Sequence, residues 1–320
     1  QRKSVTAEYR SGRATHAPLE PQAALAIVGP DGGKVWTSTQ FEMGSRREVA
    51  AVLDLEPEQV EVIPIYLGGA FGRKIELAGV PSPAVEAALL SMAVGAPVHV
   101  GWSRPEEMRD GFVRPPTHHR FRATLDDRGQ IEAIMHEQAS SDALFGAFPK
   151  SVGKILGFDF GSTRGAQIPY AIAHRETVAW RRPLPIPTGA WRGLGLIANL
   201  FAVESFIDEL AHAAGADPLQ FRLAHLSDDA RGQRLRAVLV AAADRAGWGG
   251  TPPAGRAQGI ACGTDGGTVV SEVAEISLDQ DASRIRVHRV VAAVDCGRTI
   301  NPNGATAQIE GAIVMGTSAT

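Results

Sequence analysis

Apolar and polar positions alternate in short runs through the first half of the chain and take up a helical period in the second. Leu25-Ala26-Ile27-Val28 and Lys34-Val35-Trp36-Thr37 flank Gly29-Pro30-Asp31-Gly32-Gly33, which predicts a hairpin. Val49, Val52 and Leu53 predict a short helix over 47–53. Residues 60–66 read as a strand, which Pro64 confines to an edge or an irregular position. That strand runs into Gly68-Gly69-Ala70-Phe71-Gly72-Arg73-Lys74. Ser82-Pro83 starts a helix whose face is Val85, Ala88, Leu89 and Met92, and Gly95 stops it. Residues 97–102 read as another strand. A second hairpin over 121–137 turns at Asp126-Asp127-Arg128-Gly129, and a third over 273–294 turns at Asp279-Gln280-Asp281-Ala282-Ser283.

The Pro-rich stretch 182–189 is the best boundary. It divides the chain into a strand-rich first part, 1–185, and a second part, 186–320, with a helical block and C-terminal strands. In that block Val203, Phe206, Ile207, Leu210, Ala211 and Ala214 form one apolar stripe, ended by Gly215. Asp217-Pro218-Leu219-Gln220 is a helix start in which Gln220 is expected to reach back to the cap. Leu235, Val238, Leu239, Ala242 and Ala246 form another stripe, ended by Gly247. Strands, then helices, then strands predict an α+β fold of interleaved mixed sheets and helices.

Composition narrows the function. With 44 % hydrophobic and 21 % charged residues, the 320-residue chain is expected to fold. A net charge of −3 argues against sequence-independent nucleic-acid binding, which needs a basic face. Cys262 and Cys296 alone cannot build a disulfide framework, a CxxC zinc site or a four-thiolate iron–sulfur cluster. No apolar run is long enough to span a membrane, and no apolar segment follows the charged start as in a signal peptide. The chain lacks an initiator Met and stops in the apolar, Gly-rich run that ends at Thr320, so a truncated piece is expected.

Gly193-Leu194-Gly195-Leu196-Ile197-Ala198 fits a dinucleotide-binding pattern, but that pattern needs a strand before it, where this chain has prolines. Gly68 to Gly72 reads equally as an anion-binding nest or a tight turn. His118-His119 sits on a strand, where neighbours face opposite ways, so a satisfied surface pair is expected rather than a chelate; His136-Glu137 has the same defect. Glu106-Glu107 and Asp126-Asp127 read as solvated loop charges. Thr188-Gly189-Ala190-Trp191-Arg192-Gly193 is poor core material. An Arg held by close backbone there can face an anion with a fixed fork of donors, or tie loops together through carbonyls; the site reading is favoured.

Seven ordered motifs carry a family resemblance. They are Gly68-Gly69-Ala70-Phe71-Gly72-Arg73, Trp102-Ser103-Arg104-Pro105-Glu106-Glu107-Met108 and Gly189-Ala190-Trp191-Arg192-Gly193. Then come the helix from Phe201 to Ala211, Asp217-Pro218-Leu219-Gln220-Phe221-Arg222, Asp295-Cys296-Gly297-Arg298-Thr299-Ile300-Asn301-Pro302, and Gln308-Ile309-Glu310-Gly311. Together, over most of the chain from His16 onward, they resemble the xanthine dehydrogenase and aldehyde oxidase family, most nearly large subunits of the isoquinoline 1-oxidoreductase type.

The resemblance implies a molybdenum-cofactor-binding domain. Molybdenum would be held by a pterin dithiolene and not by side chains, and an aldehyde or N-heterocycle would be hydroxylated with oxygen from water. Electrons would leave to iron–sulfur clusters in a small partner subunit. Molybdopterin, alone or as a dinucleotide, is the implied cofactor. Phe71 with Gly68, Gly69, Ala70 and Gly72 matches the segment over the metal's oxo face. Arg192, beside Gly193, matches the arginine next to the metal; Leu194 matches a substrate-packing position; Gln308 and Gly311 match a pterin-facing turn. Relatives of this type are often exported folded, which favours the periplasm.

Two departures matter. Ile75 stands where purine-oxidising relatives carry a substrate-binding glutamate, so a purine substrate is not expected. The family's Gly-Glu-Pro segment, which carries the general base, does not occur, so this chain alone is expected to be inactive. A cofactor-free binding or assembly module on the same scaffold is the alternative from another class.

Overall fold

The computed structural model describes residues 2–77, 79–145, 157–279, 281 and 283–319. In chain order its strands are β1 (Lys3–Ser11), β2 (Ala23–Gly29), β3 (Gly32–Thr37), β4 (Val60–Pro64), β5 (Val98–Gly101) and β6 (Thr117–Leu125). β7 (Ile131–Ser140), β8 (His174–Arg181), β9 (Arg256–Asp265), β10 (Thr268–Leu278) and β11 (Ile285–Asp295) follow. The helices are α1 (Glu42–Leu53), α2 (Pro83–Val94), α3 (Arg104–Arg109), α4 (Phe160–Thr163), α5 (Leu196–Ala214), α6 (Pro218–Ala224), α7 (Ala230–Ala246) and α8 (Pro302–Ala319). The class is α+β, as the pattern predicts.

Three sheets form, with strand orders β1-β6-β7-β8, β4-β3-β2-β5 and β11-β10-β9. The hairpin at 29–33 closes as expected, from Ala24 opposite Thr37 to Gly29 opposite Gly32. Pro64 ends β4, which lies at a sheet edge and pairs in parallel with β3. The third hairpin runs from Val269 opposite Asp295 to Leu278 opposite Ile285. Gln280 and Ala282 of its turn lie outside the described residues.

Helix ends follow local chemistry. Ser82 caps α2, and Gly95, Gly215 and Gly247 close α2, α5 and α7. Asp217 caps α6 by accepting the N–H groups of Leu219 and Gln220, so Gln220 contributes its backbone N–H and its side chain does not reach back. The Gly193–Ala198 segment leads into α5 as the dinucleotide pattern requires, but the strand that pattern needs is absent before it among the described residues.

Among the described residues two apolar cores result. One lies between α1, α2 and the β4-β3-β2-β5 sheet, around Val35, Val49 and Ala87. The larger joins Phe121 and Leu125 of β6 to Phe206 and Leu210 of α5, Leu235 and Leu239 of α7, and Ile260 and Val273 of the third sheet. It spans the Pro-rich connection at 182–189, so elements on both sides of that stretch share one interior.

Two residues expected at the surface are buried. Glu107 is buried, with one oxygen 3.1 Å from Arg73 Nε and the other accepting Gln22 N–H at 2.8 Å; burial of the Arg73 guanidinium makes a solvated Glu107 untenable. His119 is also fully buried, because strand alternation turns His118 outward to Glu8 and His119 inward. There His119 Nδ1 lies 3.0 Å from His136 Nε2, and His136 stacks on Phe121 at 4.1 Å.

Candidate functional site

The site is built on a sharp loop ahead of α5. Thr188 bridges to Val113, and Gly189 N–H donates to Val113 O at 3.1 Å, so the Pro-rich connection arrives pinned. Ala190 and Trp191 are buried; Trp191 Nε1 donates to Thr15 O at 3.2 Å, and Arg114 lies over the indole at 5.2 Å. The chain then turns tightly. Leu194 N–H donates to Trp191 O at 2.6 Å and Gly195 N–H to Gly161 O at 3.0 Å. This turn forces Leu194 to φ 56°, left-handed backbone that a branched side chain avoids.

The glycine loop packs directly on this turn. Gly72 has φ 104°, and a Cβ there would lie 2.0 Å from Ala190 O. Only glycine allows that contact, which locks the two segments together. His16 donates from Nε2 to the same Ala190 oxygen at 2.7 Å. Its ring stays neutral, because burial pulls its pKa down to about 4. Phe71, at φ 57°, stands 37 % exposed. Non-glycine residues at positive φ among those described are Ala17, Asp54, Phe71 and Leu194, and all but Asp54 belong to these adjoining segments. The strained backbone therefore clusters where these segments adjoin.

Both ends of the glycine loop are braced by groups that local patterning does not reveal. The Glu20 carboxylate accepts Gly68 N–H at 2.7 Å and pairs with Lys74 Nζ, which also donates to Ser38 Oγ at 2.9 Å. Gln40 Oε1 accepts Gly72 N–H at 2.9 Å. Arg73 is clamped between the rings of Trp102 and Phe112, 5.4 and 5.3 Å away. The basic pair Arg73-Lys74 is therefore structural. Between the braces, the N–H groups of Gly69, Ala70 and Phe71 meet no protein acceptor among the described residues.

Arg192 carries the third connection. Its Nη2 donates to Gln308 O at 2.9 Å and to Gln308 Oε1 at 3.0 Å. A Cβ on Gly311 would lie 3.5 Å from its Nη1, so the guanidinium rests on one turn of α8. The Gln308-x-x-Gly311 segment is thus a helical turn and not a loop bend. No carboxylate pairs with Arg192 among the described residues. A half-exposed guanidinium with neutral acceptors on one nitrogen keeps donors and a net charge for an anion.

The fold thereby brings Arg192 against Gln308 and Gly311, and packs Gly72 of the glycine loop on Ala190 and Trp191 just before it. A hollow of about 620 Å³ opens here, between α5, α8 and the β9–β10 floor. Arg192 and Gly193 line it, while Phe71, Gln308 and Gly311 are not among its walls. Among the described residues no three His, Cys, Asp or Glu side chains are placed to hold a metal ion, and no helix is long and apolar enough to cross a membrane.

Comparison with known proteins gives this arrangement its family. The sequence pattern described as molybdopterin cofactor-binding domain matches residues 1–226, and a second of that description matches 256–320. The chain belongs to this family of molybdenum-cofactor-binding domains, within the xanthine dehydrogenase and aldehyde oxidase group of subunits. It is 30 % identical to the isoquinoline 1-oxidoreductase subunit beta of Brevundimonas diminuta over 97 % of this chain and 40 % of that protein. It is 36 % identical to the aldehyde oxidoreductase molybdenum-binding subunit PaoC of Escherichia coli over 68 % of this chain and 28 % of that protein. The aldehyde oxidoreductase structure from Desulfovibrio gigas superposes with a TM-score of 0.63 at 25 % identity, over 89 % of this chain and 33 % of the other. The chain therefore spans well under half the length of each of these relatives.

Proposed function

We propose that this chain supplies part of the molybdopterin-binding surface of an oxidoreductase that hydroxylates aldehydes or N-heterocycles. One observation carries the reading: Arg192, a cation with no carboxylate partner among the described residues, sits across the Gln308–Gly311 turn and follows directly on Ala190-Trp191, on which Gly72 packs. The residues fit an anionic guest. Three N–H groups of the glycine loop lack acceptors, and Gly311 presents no side chain to the guanidinium.

When bound, the molybdopterin group supplies the oxidation chemistry, with oxygen derived from water and electrons passed to an iron–sulfur partner. The protein's share is placement. Arg192 would hold the group by charge and directed N–H donors; Gln308 orients that guanidinium through two hydrogen bonds. Phe71, fixed by its strained backbone, would stand over the reacting face, and Leu194 would pack against the substrate ring. None of these residues is a proton acceptor suited to a general base, so these 320 residues alone would bind and orient without turnover.

The test is cofactor retention in the complex with the iron–sulfur subunit, made in a host that synthesises molybdopterin. Molybdenum measured by mass spectrometry and pterin measured by fluorescence should co-purify in equal amounts, and Arg192→Ala should lower both. A complete complex free of both would instead support a cofactor-free scaffold.

A further inference from the structure

The third sheet covers its two faces differently. One face packs on α7 through Ile260, Val269 and Val273. The other carries the floor of the 620 Å³ hollow, and its pattern is unusual. On this face Glu272 stands between Val270 and Ala274 of its own strand, with Ala261 of β9 and Ala292 of β11 directly opposite it. The four corners around it are Gly259, Gly263, Val290 and Val294. A single carboxyl thus occupies the centre of a three-by-three grid of small apolar positions, where sheet patterning calls for another apolar residue.

Glu272 has no hydrogen-bond or ion-pair partner among the described residues. The other two carboxylates on the walls of the hollow are already engaged. Glu204 accepts from Arg222 Nε, Tyr170 Oη and Cys262 N–H, each at 2.9 Å, and Asp208 accepts from Arg222 Nη1 at 2.6 Å. Burial alone raises the Glu272 pKa, with no neighbouring charge to oppose it. The walls of the hollow are mostly apolar, with Leu196, Ile197, Leu200 and Phe201 of α5 and Ala312 and Met315 of α8, while Arg192 and Ser205 add a charged and a polar group. A volume of this size, mostly apolar, with the Glu272 carboxyl on its floor and the Arg192 guanidinium on its wall, has the character of a small-molecule site.

We infer that this hollow binds a small, flat, lipophilic cation of the amidine or protonated-amine class, held through Glu272. The apolar walls exclude strongly hydrated ions, and the unpaired carboxyl selects a positive N–H donor over a neutral ring. The site uses β10 and the α5 flank, and it shares Arg192 with the cofactor surface proposed above.

Benzamidine is the probe, and neutral benzamide is its control. Calorimetric titration of the 320-residue chain should show benzamidine binding at least about tenfold tighter than benzamide. Glu272→Gln should remove that preference while raising the melting temperature, since it deletes a desolvated charge. That rise separates loss of binding from loss of fold. A second variant, Gly259→Leu, should abolish binding by filling the floor, because a Cβ there meets nothing within 4 Å. Equal benzamidine affinity in the parent chain and Glu272→Gln, or no measurable benzamidine binding to the parent, would overturn the inference.

Discussion

Arg73 and Glu107 are both almost fully buried, and each satisfies the other's charge. Burial lowers the Arg73 pKa, and Glu107 works against that shift. Removing one partner leaves an uncompensated charge in a low-dielectric interior. Glu107→Ala is therefore expected to destabilise the protein by about 3–5 kcal/mol, read as a fall in the urea midpoint; a change below ~1 kcal/mol would contradict the pairing. Gly72 is as demanding for a different reason. Gly72→Ala drives a Cβ into Ala190 O and enforces φ 104° on a residue that resists it. The expected result is a stability loss of about 1–3 kcal/mol together with reduced cofactor retention, since the glycine loop would separate from the Arg192 turn.

Hairpins and capped helices are legible in the sequence because their signals are local. Turn residues sit between alternating runs at 29–33 and 126–129, and Asp217-Pro218 starts a helix through side-chain acceptance of its own next N–H groups. The pattern does not supply β1, β8, β9, α3, α4 or α8, and of these α8 bears most on the site. Gly304, Gly311 and Gly316 lower its intrinsic helicity and mask its helical period. Its start signal was nonetheless present: Asn301 Oδ1 accepts Gly304 N–H at 3.0 Å, and Pro302 follows at the first helical position. That helix places Gln308 and Gly311, so a missed element concealed how two candidate site residues meet Arg192. The site residues themselves were legible only as motifs, and their spatial relation was not.

Across the whole molecule, a directed hydrogen-bond chain ties the first sheet to the loops behind the site. His136 Nδ1 must donate to Ala166 O at 2.9 Å, so His136 Nε2 accepts from His119 Nδ1 at 3.0 Å. His119 Nε2 then accepts from Thr117 Oγ1 at 2.8 Å, whose oxygen accepts from Ser11 Oγ at 2.7 Å. Both rings are neutral, because burial lowers their pKa values to about 3 for His119 and about 4 for His136. With His16 they form a set whose unfolded forms take up protons near pH 6.5 while the folded forms do not. Acid therefore favours unfolding, and stability should fall as pH drops from about 6.5 towards 4. Unfolding free energies at pH 7 and pH 5 should differ by on the order of 5 kcal/mol. An unchanged midpoint would mean that these rings are charged or exposed.

Local chemistry written in the sequence determined the α+β class, the hairpins, the helix caps and the motifs of the family, since each depends on residues only a few positions apart. Tertiary structure alone decided what each charge and ring faces. Arg192 meets Gln308 across 116 positions, Glu107 turns from an assumed solvated acid into a buried partner, and Glu272 is stranded on an apolar sheet. Those outcomes depend on which elements pack together, and the free energy of burying a charge is settled only when its distant neighbours are in place.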